Sequence, residues 1–159
     1  MLESVAGWKT ARVKRPVLIL GSLDGIETGV RQLIRETPLE TETIEIANEK
    51  LTVPTMPEML RIKAVLIVKR NATRDYLDFI AMAELIGFDA AVKALECFDA
   101  LYPQANGQSA KQQLQIQLAN PMPYDLDSTN LHEYKKLKAE YQDWNVVAEK
   151  CRKMANLLW

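Results

Sequence analysis

The chain has 159 residues, 48% of them hydrophobic and 26% charged, a balance that excludes a disordered polymer and fits one folded domain needing no cross-links. Lys and Arg number 20 against 21 Asp and Glu, and the net charge of −1 excludes a strongly basic nucleic-acid binder. Two cysteines, Cys97 and Cys151, exclude a disulfide framework and a four-thiolate zinc site.

Met1 to Leu20 carries Lys9, Arg12, Lys14 and Arg15 in its middle, which does not read as a secretory leader. No stretch approaches the about 18 apolar residues of a membrane span, so the expected location is the cytoplasm, with reduced thiols and no membrane partner. Arg15-Pro-Val-Leu-Ile-Leu-Gly21 reads as a buried strand, Ser22 to Gly25 as a turn, and Val30 to Glu36 as a short helix stopped before Pro38. The glycines of the 21–29 loop lack the spacing of a phosphate-binding loop. Glu36, Glu40, Glu42, Glu45 and Glu49 then form an acidic block without a base. Within it Thr41-Glu-Thr-Ile-Glu-Ile46 alternates with period two and pairs with Leu51-Thr-Val53 as a hairpin turning near Asn48.

Beyond Pro54 the pattern is helical. Thr55 is an N-cap with Pro57 in the first turn and Glu58 at capping-box spacing, and the helix runs to about Arg70. Asn71-Ala-Thr73 breaks it. A second helix covers about Arg74 to Ile86, ending at Gly87, and a third about Asp89 to Tyr102. Ser109 to Leu118 reads as helix from its Gln and Ala content. The last section, about Leu131 to Leu158, reads as helix broken near Asp143, with Asn130 and Glu133 starting it. The fold class expected is therefore α+β: a small antiparallel or mixed sheet in residues 1–55, packed with a helical bundle in 56–159 as one compact unit.

Residues 59–74 hold five bases and no acid, with Lys63 among apolar neighbours and Arg70 seven residues on along the same helix face. A buried cation needs a partner, and Asp75 and Asp78 share a face of the following helix. Two readings stay open. Lys63, Arg70, Asp75 and Asp78 form a structural network together with an Arg74–Asp78 pair one turn apart, or Lys63 and Arg70 project to an anion such as a nucleotide phosphate while the aspartates orient them.

Thr52-Val-Pro-Thr-Met-Pro-Glu-Met-Leu-Arg-Ile-Lys63 and Lys69-Arg-Asn-Ala-Thr-Arg-Asp-Tyr-Leu-Asp78 resemble the post-hairpin segment of AbiEii/AbiGii-type nucleotidyltransferase toxins. The resemblance covers about residues 41–86. It implies a DNA polymerase β-like fold, a toxin–antitoxin or phage-defence setting, phosphate contacts from Lys63 and Arg70, and orienting roles for Arg74, Asp75 and Asp78. That family places an Asp-x-Asp magnesium site about ten residues after a Gly-Ser turn. Here Gly21-Ser22 is followed by Gln32-Leu-Ile-Arg35, so no catalytic or metal-ligating residue is assigned. The expectation is a later half of such a protein, inactive alone. Mg²⁺ and a nucleoside triphosphate would bind only if an N-terminal segment or partner protein completed the site; a cognate antitoxin is the other implied partner. The rival reading is a non-catalytic helical interaction module, antitoxin-like or a scaffold.

Weaker features take ordinary roles. Asp125-Leu-Asp127 reads as capping or surface charge, and the sole histidine, His132, as surface at a helix start. Cys97 and Cys151 read as packing residues. Tyr134, Leu137 and Tyr141 have the spacing of a core stripe. With Trp144, Trp159 and the nearby lysines, the tyrosines are a weak candidate surface for nucleic acid.

Overall fold

The computed structural model describes every residue except Met1, Pro16, Leu33, Ile34, Lys135 and Lys136, and Leu2 by its backbone alone. Among the described residues five strands form two small antiparallel sheets and six α-helices follow, an α+β fold. The chain divides into two compact units, residues 1–36 and 37–159.

The first unit is a meander of β1 (Trp8–Lys14), β2 (Leu18–Leu23) and β3 (Ile26–Arg31). β2 and β3 are joined at Asp24 and Gly25, whose φ angles of 49° and 82° make the mirror-image turn that matches strand twist. The register places Val13, Ile19 and Val30 on one rung and Trp8, Leu23 and Ile26 on another rung of the same face. Lys14, Leu18 and Arg31 share a rung of the opposite face, as do Arg12, Leu20 and Gly29. A register shift between Thr10 and Arg12 keeps the two faces in phase across an extra residue. The first face is therefore mainly apolar, with Thr10, Gly21 and Thr28 between its two apolar rungs, and the opposite face is net cationic, with Lys9, Arg12, Lys14 and Arg31 against Glu27. A Cβ at Gly21 would stand 2.7 Å from the Trp8 ring, so glycine is needed where that ring crosses the sheet.

Two expectations fail in this unit. The segment around Val17–Leu20 is not a buried strand: Leu18 and Ile19 are half-buried and Leu20 is exposed, because a single three-stranded layer has nothing of its own to cover it. Val30 and Arg31 belong to β3 instead of a helix, held by pairing to Ile19 and Leu18, while Gln32 extends the ladder by donating to the Val17 carbonyl at 2.9 Å. The rest of that expected helix includes Leu33 and Ile34, which lie outside the described residues. β1 was hidden because its bulge interrupts the alternation of apolar and basic residues.

The second unit opens with the hairpin β4 (Thr41–Ile46) and β5 (Glu49–Pro54), turning at Ala47 and Asn48 with φ of 51° and 68°. Its helices are α1 (Met56–Arg70), α2 (Thr73–Ile86), α3 (Phe88–Ala94), α4 (Phe98–Leu101), α5 (Ala110–Ala119) and α6 (Trp144–Leu157). Thr55 caps α1 by accepting from the Glu58 amide at 3.3 Å, and Ser109 caps α5 by accepting from the Gln112 amide at 2.9 Å. Asn71 ends α1 in the left-handed region with φ 50°, and Gly87 follows α2 with φ 88°. Leu60, Ile67, Phe79, Ile80, Leu114 and Met154 are among the fully buried side chains where α1, α2, α5 and α6 meet.

Two expected helices are broken. The third divides into α3 and α4 because the Ala94 carbonyl, which a continuous helix would direct to the Phe98 amide, accepts from the Arg61 guanidinium at 3.3 Å, while Phe98 donates to Leu95. The described residues of 131–142 hold only 3₁₀ turns, Leu131–Glu133 and Ala139–Gln142; the break at Asp143 is real, and Asp143 caps α6 by accepting from the Asn145 amide at 2.9 Å. Tyr134, Leu137 and Tyr141 consequently do not form one stripe: Tyr141 is buried, Leu137 half-buried and Tyr134 exposed.

Candidate functional site

The sequence-predicted cations and aspartates meet at the corner between α1 and α2. The link of Asn71 and Ala72 turns α2 back along α1, so Lys63 Nζ reaches Asp78 Oδ2 at 2.6 Å. Arg70 grips Asp75 with a two-point hydrogen bond, Nη2 to Oδ1 at 2.6 Å and Nε to Oδ2. Asp75 is fully buried, and its hydrogen bond is the main cause of a guanidinium pKa above the ordinary arginine value. Arg74 makes no ion pair among the described residues and stands exposed in the first turn of α2. Asp78 is taken by Lys63, so the Arg74–Asp78 pair expected from the spacing does not form.

A strap from residues 121–125 locks this corner. The Asn71 amide side chain donates to the Met122 carbonyl at 2.7 Å, and the Tyr124 amide donates to the Asn71 carbonyl at 3.0 Å. Asp125 accepts from both the amide and the hydroxyl of Thr73, each at 2.7 Å, acting as the N-cap that Ala72 cannot supply. Burial opposes ionisation of Asp125, but the two Thr73 donors outweigh it and hold the carboxyl below its usual range. The acidic pair of Asp125 and Asp127 thus splits, with Asp127 exposed.

Two charged networks escaped sequence reasoning. Glu58 and Arg61 are both buried, joined by Nη2 to Oε2 at 3.0 Å, and Arg61 also donates to Glu40. Glu58 additionally accepts from the Glu40 amide at 3.3 Å, so the residue read as half of a capping box anchors the hairpin to α1. The i,i+3 spacing of Glu58 and Arg61 was the available signal. On α6, Lys150 bridges Glu84 at 2.7 Å and Glu140 at 2.8 Å, its ammonium 4.7 Å from the Tyr141 ring centre, while the Tyr141 hydroxyl donates to Glu84. Burial raises the Tyr141 pKa to about 12, with the Glu84 hydrogen bond adding to it; at Glu84 burial is outweighed by Lys150 and Tyr141, and the carboxyl falls below its usual range.

Two depressions lie beside these networks. One, about 310 Å³, runs along α2 between Arg74, Leu77, Asp78 and Ala81 and the segment carrying Tyr134, Leu137, Lys138 and Tyr141. The other, about 550 Å³ and wide open, is lined by Leu126, residues 129–132, Ala139 and residues 142–144; there His132 Nδ1 is 3.0 Å from the Gln142 side-chain oxygen. Cys151 is buried, its thiol pushed up to about 12 by burial, and Cys97 is exposed. Among the described residues no cluster of three His, Cys, Asp or Glu could hold a metal ion.

Comparison with curated proteins gives the chain its relatives. It is 32% identical over 124 residues to "Heme uptake protein MmpL11" of Mycobacterium tuberculosis and 28% identical over 124 residues to "Mycolic acid-containing lipids exporter MmpL11" of Mycolicibacterium smegmatis. It is similar to a segment of MmpL11. "Probable transport protein MmpL11" of Mycobacterium leprae matches at 32% over 126 residues. Each match takes in 76% of this chain but only 12–13% of the relative, so the chain spans about an eighth of the proteins it matches. Wherever its ends fall, a match of that share includes roughly residues 40 to 120, the stretch from Glu40 through α5. No protein-family profile and no solved structure matches.

These relatives overturn the resemblance to AbiEii/AbiGii nucleotidyltransferases and the toxin–antitoxin and phage-defence setting drawn from it. The misleading segment was the run from Thr52 to Asp78. A capped amphipathic helix, an Arg–Asp clamp at a tight corner and an Arg-Asp-x-x-Asp helix start are what any stable α-hairpin of this kind would use.

Proposed function

We propose that this chain is a domain of an MmpL11-type transport system that works outside the bilayer, by contact with the transporting part. The observation that carries the reading is the 32% identity over 124 residues. Moving cargo through a membrane needs spanning elements. None of the described helices is long and apolar enough to cross a bilayer, the longest being the 15 residues of α1, and this favours an assembly or regulatory task over conduction. The domain faces the cytoplasm in this reading, in keeping with two free thiols.

The test is a chimera. In M. smegmatis, the stretch of MmpL11 that aligns with this chain is deleted or replaced by the corresponding residues of this chain, and export of mycolic acid-containing lipids is followed. The deletion is expected to lose export and the replacement to restore it. A replacement that accumulates to the normal level yet behaves like the deletion would end the reading.

A further inference from the structure

The cleft of about 310 Å³ along α2 has the composition of a binding site for a small amphiphile. Its floor is apolar: Leu77 is buried, Ala81 and Leu137 are half-buried, and the Tyr141 ring is buried with its hydroxyl committed to Glu84. Its rim carries two exposed cations, Arg74 and Lys138, neither in an ion pair among the described residues. The one acidic residue of the lining, Asp78, is already paired with Lys63 at 2.6 Å, so it does not neutralise them.

Arg74 is, moreover, placed against its own electrostatics. It occupies the second position of α2, at the positive end of the helix, where a cation is disfavoured; Asp125 already caps that end at Thr73 and Asp75 is held by Arg70, so neither pairs with Arg74. An exposed surface arginine normally relieves this by pairing one turn on, and here that partner is taken. Two cations outside any ion pair among the described residues, Lys138 with only the Coulombic influence of Glu84, sit beside a greasy floor and select a ligand with a negative head and an apolar tail. The volume stands at the small end of ligand pockets, about 300 Å³ and upward, room for one short chain but not for the two chains of a phospholipid.

We propose that this cleft binds a single-chain carboxylate amphiphile, its head between Arg74 and Lys138 and its tail on Leu77, Ala81 and Leu137. The site belongs to residues 37–159 alone and stands whether or not the transport reading does. The probe is octanoate, titrated into the ¹⁵N-labelled full chain below its micelle concentration, with 1-octanol and acetate as the neutral and tail-less comparisons. Saturable shifts are expected at amides of 74–81, of Tyr134 and of 137–141 with octanoate, and much weaker ones with either comparison. The Arg74→Ala, Lys138→Ala double variant should raise Kd about tenfold, the loss of two solvent-exposed ion contacts. Ala81→Phe should abolish binding by filling the cleft while the rest of the spectrum keeps its dispersion. No saturable response, equal affinity for octanol, or octanoate binding indifferent to both variants would overturn the proposal. So would a response only to phosphatidylglycerol vesicles, which would give the two cations to a lipid surface.

Discussion

In residues 1–36 the neighbours of a side chain are fixed by strand register, and Gly21 is the one buried residue among those described. In residues 37–159 they are fixed by burial: six helices close around side chains such as Phe79, Ile80 and Leu114 with no exposure at all. A lone three-stranded layer sorts its residues into an apolar and a cationic face but cannot cover either by itself. The helical unit covers its apolar residues and must then satisfy the charges it traps, which it does with Glu58, Arg61, Asp75 and Arg70. Substitutions should therefore cost several times more in the second region than in the first, in an order set by what each side chain loses.

The largest effect is expected from Phe79→Ala. The ring is fully buried on α2, and truncation should destabilise the unit by about 3–5 kcal/mol, read as a lowered urea midpoint at unchanged slope. A loss under about 1 kcal/mol would mean that the core relaxes around the gap and that the contrast between the regions is overstated. Next comes Glu58→Gln, which leaves Arg61 buried beside a neutral amide. The range for breaking a buried pair is about 3–5 kcal/mol, and the remaining contacts to Glu40 and the Ala94 carbonyl argue for its lower end, about 3 kcal/mol. Chemical denaturation of the single variant against Glu58→Gln, Arg61→Met separates the two terms. The double variant should recover part of the loss, and if it is worse than the single, the guanidinium is held by something other than Glu58.

The same contrast explains what could be read in the chain beforehand. Elements whose ends are written locally were legible: Thr55 as a cap, Asn71 and Gly87 as helix ends, Asn48 as a hairpin turn, Asp143 as a break. Each acts within a few residues of itself, so sequence contains its partner. What was illegible depended on distant partners. The division of α3 from α4 follows from Arg61 claiming the Ala94 carbonyl 33 residues away, and the cap of α2 comes from Asp125, 52 residues from Thr73. β3 was missed although Asp24-Gly25 is a strong hairpin signal, because Val30 to Glu36 also fitted a helix and only pairing with β2 decides. Of the site, the residues were legible but their pairing was not: Lys63 takes Asp78, Arg70 takes Asp75, and Arg74 is left over. The functional inference failed for a related reason. The resemblance to nucleotidyltransferases rested on residues that fit a structural corner equally well, and the relatives found are transport proteins.

Asp125 offers a mid-sized test with its own pH signature. Its folded pKa lies below the unfolded value of about 4, so its contribution is complete above that pH and disappears as pH falls through the folded pKa. Asp125→Asn should therefore cost about 1 kcal/mol at pH 7, as for a lost N-cap charge, and the difference from the parent should shrink toward acid. Denaturation curves at pH 7 and near pH 3 check this. A difference that stays constant with pH would mean that the strap at 121–125 holds α2 by its backbone contacts alone.

The smallest effect should come from the sheet of residues 1–36. Ile26 lies on the apolar face beside Trp8 and Leu23, yet it is 73% exposed. Ile26→Ala removes little buried area, so the change should stay within about 0.5 kcal/mol. The useful result would be a larger one. Exposure of a β-branched residue on an apolar rung costs nothing to remove only if water already covers that rung in solution. A loss above about 1 kcal/mol would mean that Ile26 is covered there, and the matching change on the cationic face, Arg31→Ala, would then show whether only the apolar side is engaged. If Arg31→Ala stays neutral while Ile26→Ala does not, the two faces have separate tasks, and the sheet is held by its apolar side with its cations left free.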